Sequence, residues 1–278
     1  MKVLVTGAGG MLGTDIMHAF KEHNTLGLTK PELDITKIDQ VTKTIGQYKP
    51  DLVINCAAYT KVDDCEINKD LAFKVNALGP RNLAIACQSQ AAAIVHISTD
   101  YVFDGTANRP YTEFDSTKPL GVYGQSKFAG EQLIKSLMTR HFIIRTSWLY
   151  GANGPNFVET MLRLAKEYSE IKVVNDQQGS PTYTKDLAQA VVELIKTPAY
   201  GLYHLTNSGN CTWYQFAKEI FRIEGIDIKV NPCTTEAFPR PAPRPKYSVM
   251  ENYFWKLHGR PPMRDYKEAL KEYLDSRG

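Results

Sequence analysis

"KVLVTGAGGMLG", residues 2–13, is the stretch on which the reading of this chain turns. Val3, Leu4 and Val5 form a short apolar run of the kind buried on both faces of a parallel sheet, and Gly7, Gly10 and Gly13 follow it at once. Glycine is needed where a chain turns sharply and where backbone N–H groups must approach an anion at a helix N-terminus. The GxxGxxG spacing is one residue wider than GxGxxG, and on its own it also suits a plain strand-to-helix turn. The surrounding sequence chooses between the two.

After the glycines, Met11, Leu12, Ile16, Ala19 and Phe20 recur near helical spacing, so a helix follows the turn. "TLGLT" then reads as a strand, "DQVTKTIGQYK" as a helix, "DLVINCAAY" as a strand and "LAFKVNALGPRNLAIACQSQ" as a helix. "AIVHIST" and "FIIRTSW" are two more strands with a helix between them. This alternation predicts an α/β fold, a Rossmann-like doubly wound parallel sheet. Beyond about residue 150 the pattern loosens into helices at "NFVETMLRLAKEYSE" and "TWYQFAKEIFRIEGI", a helix "KDLAQAVVELIK" capped by Thr184, and a short strand "GLYHLT". "FPRPAPRPKYS" carries four prolines in seven positions and must be a loop. The expected division is a dinucleotide-binding domain over 1–150 and a smaller, mainly substrate-binding lobe over 151–278. Segments at about 180–206 are expected to pack back on the first domain.

Composition narrows the function. With 278 residues, 43% of them hydrophobic and 23% charged, the chain can bury a sizeable core. A formal net charge of +3 is too small and too dispersed for nucleic acid. The most apolar run, "LAIACQSQAAAIVHI", is broken by Gln88, Ser89 and Gln90, and the N-terminus lacks a signal-peptide pattern, so no membrane role is expected. The five cysteines form no CxxC and the six histidines are scattered. We therefore expect free thiols in a cytoplasmic protein and no metal site.

In a doubly wound sheet the glycine turn becomes a dinucleotide phosphate site, and an acid near the end of the second strand usually holds the ribose 2′-OH. Here that strand ends in Thr29 and Lys30, a cation where a carboxylate would stand. NADPH is therefore expected to be accepted at least as well as NADH, with Thr29 or Lys30 near the 2′-phosphate. The next acid, Asp34, with Ile35 after it, is better placed for adenine. Further on, "YGQSKFAGE" puts Tyr123 and Lys127 on one helical face. A phenol titrates near pH 10, and a nearby ammonium favours its ionised form, so the pair suits proton transfer. Such pairs also arise by chance. This one follows "HISTD", which delivers Ser98, Thr99 and Asp100 to the strand end where the sheet binds its ligand.

Taken together, "TGAGGMLG", "NCAAYTKVDDCE", "HISTDYVFDG", "YGQSKFAGE", "RTSWLYG", "NFVETML", "DQQGSPTYTKDLA" and "RPKYS" resemble the extended short-chain dehydrogenase/reductases over nearly the whole chain. "STDYVFDG" with "SWLYG" and "DQQGSPT" is most similar to the branch that reduces dTDP-linked 4-keto deoxysugars. The resemblance implies hydride transfer from NADPH, with NADH also accepted, to C4 of dTDP-4-dehydro-L-rhamnose. It implies that Thr99 hydrogen-bonds the carbonyl, that Tyr123 is the general acid, and that Lys127 lowers the Tyr123 pKa and holds the nicotinamide ribose. Gly10, Met11 and Leu12 would lie along the pyrophosphate, and Asp34 and Ile35 would flank adenine. Ala57, Ala58, Tyr59, Thr60 and Val62 would line the cofactor, and Asp100, Tyr101 and Trp148 the sugar. Asn156 reads either as a diphosphate ligand or as a helix cap. Arg240, Arg244 and Lys246 offer cations on a stiff loop, and Arg244 is the expected diphosphate contact. The expected assembly is a monomer or homodimer.

Two neighbouring activities fit less well. A sugar-nucleotide dehydratase of this family carries Asp-Glu directly after the threonine, whereas Thr99 is followed by Asp100 and Tyr101. A non-catalytic subunit, such as the regulatory subunit of methionine adenosyltransferase, can let its catalytic residues drift, but Thr99, Tyr123 and Lys127 are all present.

Overall fold

The computed structural model describes residues 1–277. In the first half β1 (Lys2–Thr6), α1 (Met11–Ala19), β2 (Asn24–Leu28), α2 (Ile38–Tyr48), β3 (Leu52–Asn55), α3 (Val62–Ile67), α4 (Lys69–Phe73), α5 (Gly79–Ser89), β4 (Ala93–Thr99), α6 (Val122–Leu137) and β5 (His141–Thr146) follow one another. One π-helical turn, Lys74–Leu78, joins α4 to α5. The second half contains β6 (Leu149–Tyr150), α7 (Phe157–Glu167), β7 (Glu170–Val174), β8 (Gln178–Gly179), β9 (Thr182–Tyr183), α8 (Thr184–Leu194) and β10 (Gly201–His204). It ends with β11 (Cys211–Thr212), α9 (Trp213–Glu224), β12 (Lys229–Cys233), α10 (Tyr253–Leu257) and α11 (Tyr266–Asp275).

Six strands form one sheet in the order β10-β5-β4-β3-β1-β2, and every pairing is parallel. Because side chains alternate across a strand, the apolar runs feed two cores at once. Leu4, Val53, Ile94 and Ile143 face a layer that contains Val41, Ile45 and Leu83 of α2 and α5. Val3, Val5, Ile54, Val95 and Ile144 face the opposite layer, with Ile16 of α1 and Leu187, Val191 and Leu194 of α8. Each such side chain stabilises the fold by roughly 1.5–3 kcal/mol relative to exposure. From β1 the chain goes first to β2 on one side, then crosses to β3 on the other. The end of β1 is thus a switch point, where an open parallel sheet leaves a crevice.

The remaining elements build a separate core around Phe216, Ile220, Leu270 and Tyr273, drawn from α9 and α11. β12 pairs with β7 in parallel beside it. Helix α9 begins with a full capping box, in which the Thr212 side chain accepts from Gln215 N and the Gln215 side chain accepts from Thr212 N. One expected cap is corrected. Thr184 is the first residue of α8 and Tyr183 its N-cap, because β9 runs directly into the helix. The Thr184 hydroxyl instead donates to the Tyr150 carbonyl oxygen at 3.2 Å and ties α8 to β6.

Candidate active site

The glycine turn is built for close approach. Gly7 has φ 68°, a left-handed conformation, and a Cβ there would lie 2.7 Å from Ala57 N. A Cβ on Gly13 would fall on the Gly7 carbonyl oxygen. Helix α1 is capped by the backbone of Gly10 with no side-chain cap and no acid in its first turn. Its leading N–H groups and positive end face a cavity of about 630 Å3. This donor set suits a pyrophosphate.

The other walls of that cavity come from the ends of neighbouring strands. Ala58, Thr60 and Val62 follow β3, Thr99, Asp100 and Tyr101 close β4, and Trp148 follows β5. Tyr123 and Lys127 reach in from α6. Gly124, between them, lets α6 lie against the Tyr101 carbonyl, where a Cβ would overlap the oxygen. The Thr99 hydroxyl donates to Asp100 Oδ1 at 3.1 Å and accepts from Tyr101 N at 3.2 Å. The Tyr101 ring stands edge-on to Tyr123, with centroids 5.5 Å apart.

Burial dominates the titration of these groups. It pushes the Tyr123 phenol well above its ordinary value, against a hydrogen bond with Thr99. The phenol therefore stays neutral near pH 7, as a proton donor must. The Lys127 ammonium donates to the Ile97 carbonyl oxygen at 2.5 Å. Burial lowers Lys127 to about 8, opposed by the charge of Glu131 one turn along α6. Asp100 is raised to about 6 by burial, against hydrogen bonds from Ser248 and Thr99. Beneath the site, Glu131 accepts from Ser98 Oγ at 2.5 Å and from Arg145 at 2.9 and 2.7 Å, a buried pair that ties α6 to β4 and β5.

Not every expected residue lines this cavity. Gly7 and Ala57 form the back of the turn, and Tyr59 packs beside Tyr123 on Cys65, its backbone held by Asn76. Thr29 lies against Gly9, and Lys30 is exposed. The expectation that no carboxylate waits at the end of β2 is corrected. Glu32 turns back and accepts from Thr29 N at 2.8 Å and Thr29 Oγ1 at 2.6 Å, through a short turn that strand patterning does not reveal. Asp34 accepts from the backbone and hydroxyl of Thr36, while Ile35 is buried against the α2–α5 core. Asn156 caps α7, accepting from Glu159 N at 3.1 Å and donating to Gly151 O at 2.9 Å.

Arg244 lines a second cavity of about 370 Å3 that shares Tyr101 with the first. Its guanidinium is held by Asp63 through two bonds of 3.0 Å, so the diphosphate contact expected of it must compete with that carboxylate. Phe157, Lys172, Gln177, Trp213, Phe238 and Arg240 line the same space. Of these, sequence reasoning had singled out Arg240 alone. Around the first cavity it missed Ser147 and the Asn153–Pro155 loop. "DQQGSPT" pointed at Gln177 as a motif without a role. No group of three or more His, Cys, Asp or Glu able to hold a metal occurs among the described residues.

Comparison with known proteins agrees with this geometry. The family model described as RmlD substrate binding domain matches residues 1–277. A solved dTDP-4-dehydrorhamnose reductase from Clostridium acetobutylicum is 53% identical, with a TM-score of 0.97 and 99% of each chain covered. One from Bacillus anthracis, solved in complex with NADP, is 45% identical with the same TM-score and coverage. A spore coat polysaccharide biosynthesis protein of Bacillus subtilis (strain 168) is 46% identical over 99% of this chain and 98% of its own.

Proposed function

We propose, from the premise that this chain belongs to the RmlD substrate binding domain family, that it reduces the C4 carbonyl of dTDP-4-dehydro-L-rhamnose with NADPH to give dTDP-L-rhamnose. The observation that carries this reading is the meeting of Thr99, Tyr123 and Lys127 in one cavity whose facing wall is the glycine turn. Met11, Leu12 and Gly13 would hold the pyrophosphate through their backbone, and Lys30 the 2′-phosphate, together with Thr29 once the phosphate displaces the Glu32 carboxylate from it. Bound NADPH supplies the hydride.

In this reading the substrate carbonyl oxygen accepts hydrogen bonds from Thr99 and Tyr123. As C4 gains the hydride its π electrons move onto oxygen, and the neutral Tyr123 phenol transfers its proton to the forming alkoxide. Lys127 keeps a positive charge below the phenolate that remains until solvent returns a proton. Asp100 and Trp148 would contact the sugar. The second cavity offers aromatic rings at Phe157, Trp213 and Phe238 for the base, and cations at Lys172, Arg240 and Arg244 for the diphosphate. Unpaired cysteines at all five positions suit a cytoplasmic enzyme, and we place it there as a monomer or homodimer.

The test is NADPH consumption by the purified protein with dTDP-4-dehydro-L-rhamnose, with the product identified. Stoichiometric dTDP-L-rhamnose is expected. Consumption only with another dTDP-linked 4-keto deoxysugar would reassign the substrate, and none with either would leave a cofactor-binding protein without catalysis.

A further inference from the structure

Trp148 sits in the reaction cavity with a backbone that tryptophan rarely adopts, at φ 48°. Something outside its own loop must hold it there. Its indole is stacked face to face on Trp213, with centroids 3.4 Å apart and planes 5° from parallel. Trp213 does not line the reaction cavity and belongs to the second one. It is the first residue of α9, directly after the capping box residue Thr212. Its Nε1 donates to Gln177 Oε1 at 3.2 Å, and the Phe157 ring packs on it at 4.5 Å.

Trp148 is confined from another direction by Gly179. A Cβ built on that glycine would lie 2.5 Å from Cε2 and 2.6 Å from Nε1 of the Trp148 indole. Gly179 belongs to β8, whose partner β11 leads straight into Trp213, with Gly179 opposite Cys211 and Gln178 opposite Thr212. The same two-stranded ladder thus sets both restraints on one ring. Stacked aromatics of this kind restrict each other's orientation as well as burying area.

We propose that Trp213 is a positioning residue for the reaction: through its stack on Trp148 it fixes the indole that presents the sugar to Thr99 and Tyr123. This rests on the function proposed above. It makes the wall between the two cavities a rigid spacer, so that a substrate whose nucleotide end occupies the second cavity arrives with its sugar at one depth in the first.

Two perturbations reach the same ring by independent routes. Trp213→Ala removes the stack, whereas Gly179→Ala leaves α9 whole and pushes the indole aside. Both are expected to lower kcat for dTDP-4-dehydro-L-rhamnose at least about tenfold, since small displacements in a reacting complex are costly. The NADPH dissociation constant and the fraction of sites that bind NADPH should stay within about twofold of wild type, and Trp213→Phe, which can still stack, should recover most of the rate. Unchanged kcat in both alanine variants would overturn the proposal, as would a fall in NADPH binding in step with kcat or loss of folding in both. Inactive wild type would instead overturn the functional reading beneath it.

Discussion

The proton-donor role proposed for Tyr123 rests on where it lies, and its spacing from Lys127 shows only that the two share a face. Burial, which a sequence does not display, pushes the phenol up, and the ammonium four residues on donates to the Ile97 carbonyl oxygen. Thr99 and Tyr123 were legible because a strand end and a following helix bring them together in any sheet of this order. Glu32 and Gln177 were not, since each acts through a turn or a facing loop. Asp100 was legible only by resemblance, and its environment yields a prediction. The residue is 2% exposed and its carboxyl is raised from 3.8 to about 6, so folding favours the protonated form. That contribution is full below pH 4 and is lost as pH rises through 6. Asp100→Asn should therefore be more stable than wild type at pH 7.5 by about 3 kcal/mol, and no more stable at pH 4. Urea unfolding at the two pH values checks this.

At the scale of elements, the central strands β1, β3, β4 and β5 were visible because each is apolar on both faces, and β2 and β10 as short apolar runs beside them. The two-residue strands β6, β8, β9 and β11 were not, because their pairing lies wholly in partners distant in sequence. The cap of α8 was misread for the same reason, since only its strand neighbour shows that Thr184 is already inside the helix. Asn156 illustrates a residue that sequence leaves divided between two roles. Its oxygen accepts from Glu159 N and its nitrogen donates to two carbonyls of the preceding loop, which accounts for both ends of the amide. Asn156→Ala should cost about 1 kcal/mol in urea unfolding and raise KM for the dTDP-sugar less than threefold. A larger KM effect with unchanged stability would return Asn156 to the diphosphate.

Across the whole molecule, the proline-rich loop joins the two halves of the site. Arg244 and the backbone N–H of Ala242 both bond Asp63 of α3, while Arg244 also faces the second cavity. The Asp63 carboxyl is held below its usual range chiefly by that guanidinium. A diphosphate arriving beside Arg244 replaces one anionic partner with another, and a charge-assisted contact of this kind is worth about tenfold in affinity. Arg244→Ala should therefore raise KM for the dTDP-sugar roughly tenfold and leave NADPH binding unchanged, with Asp63→Asn having a smaller effect. The loop was predicted from its prolines, but its anchor was not, because Asp63 lies 181 residues away. The cofactor turn, the β4 strand end and α6 line one cavity, and the event proposed there is proton transfer from Tyr123 as hydride reaches C4. Single-turnover oxidation of enzyme-bound NADPH by dTDP-4-dehydro-L-rhamnose reads that step directly in wild type and Tyr123→Phe. The variant should bind NADPH as tightly as wild type and react about a thousandfold more slowly; a rate equal to that of wild type would contradict the assignment of Tyr123 as the acid.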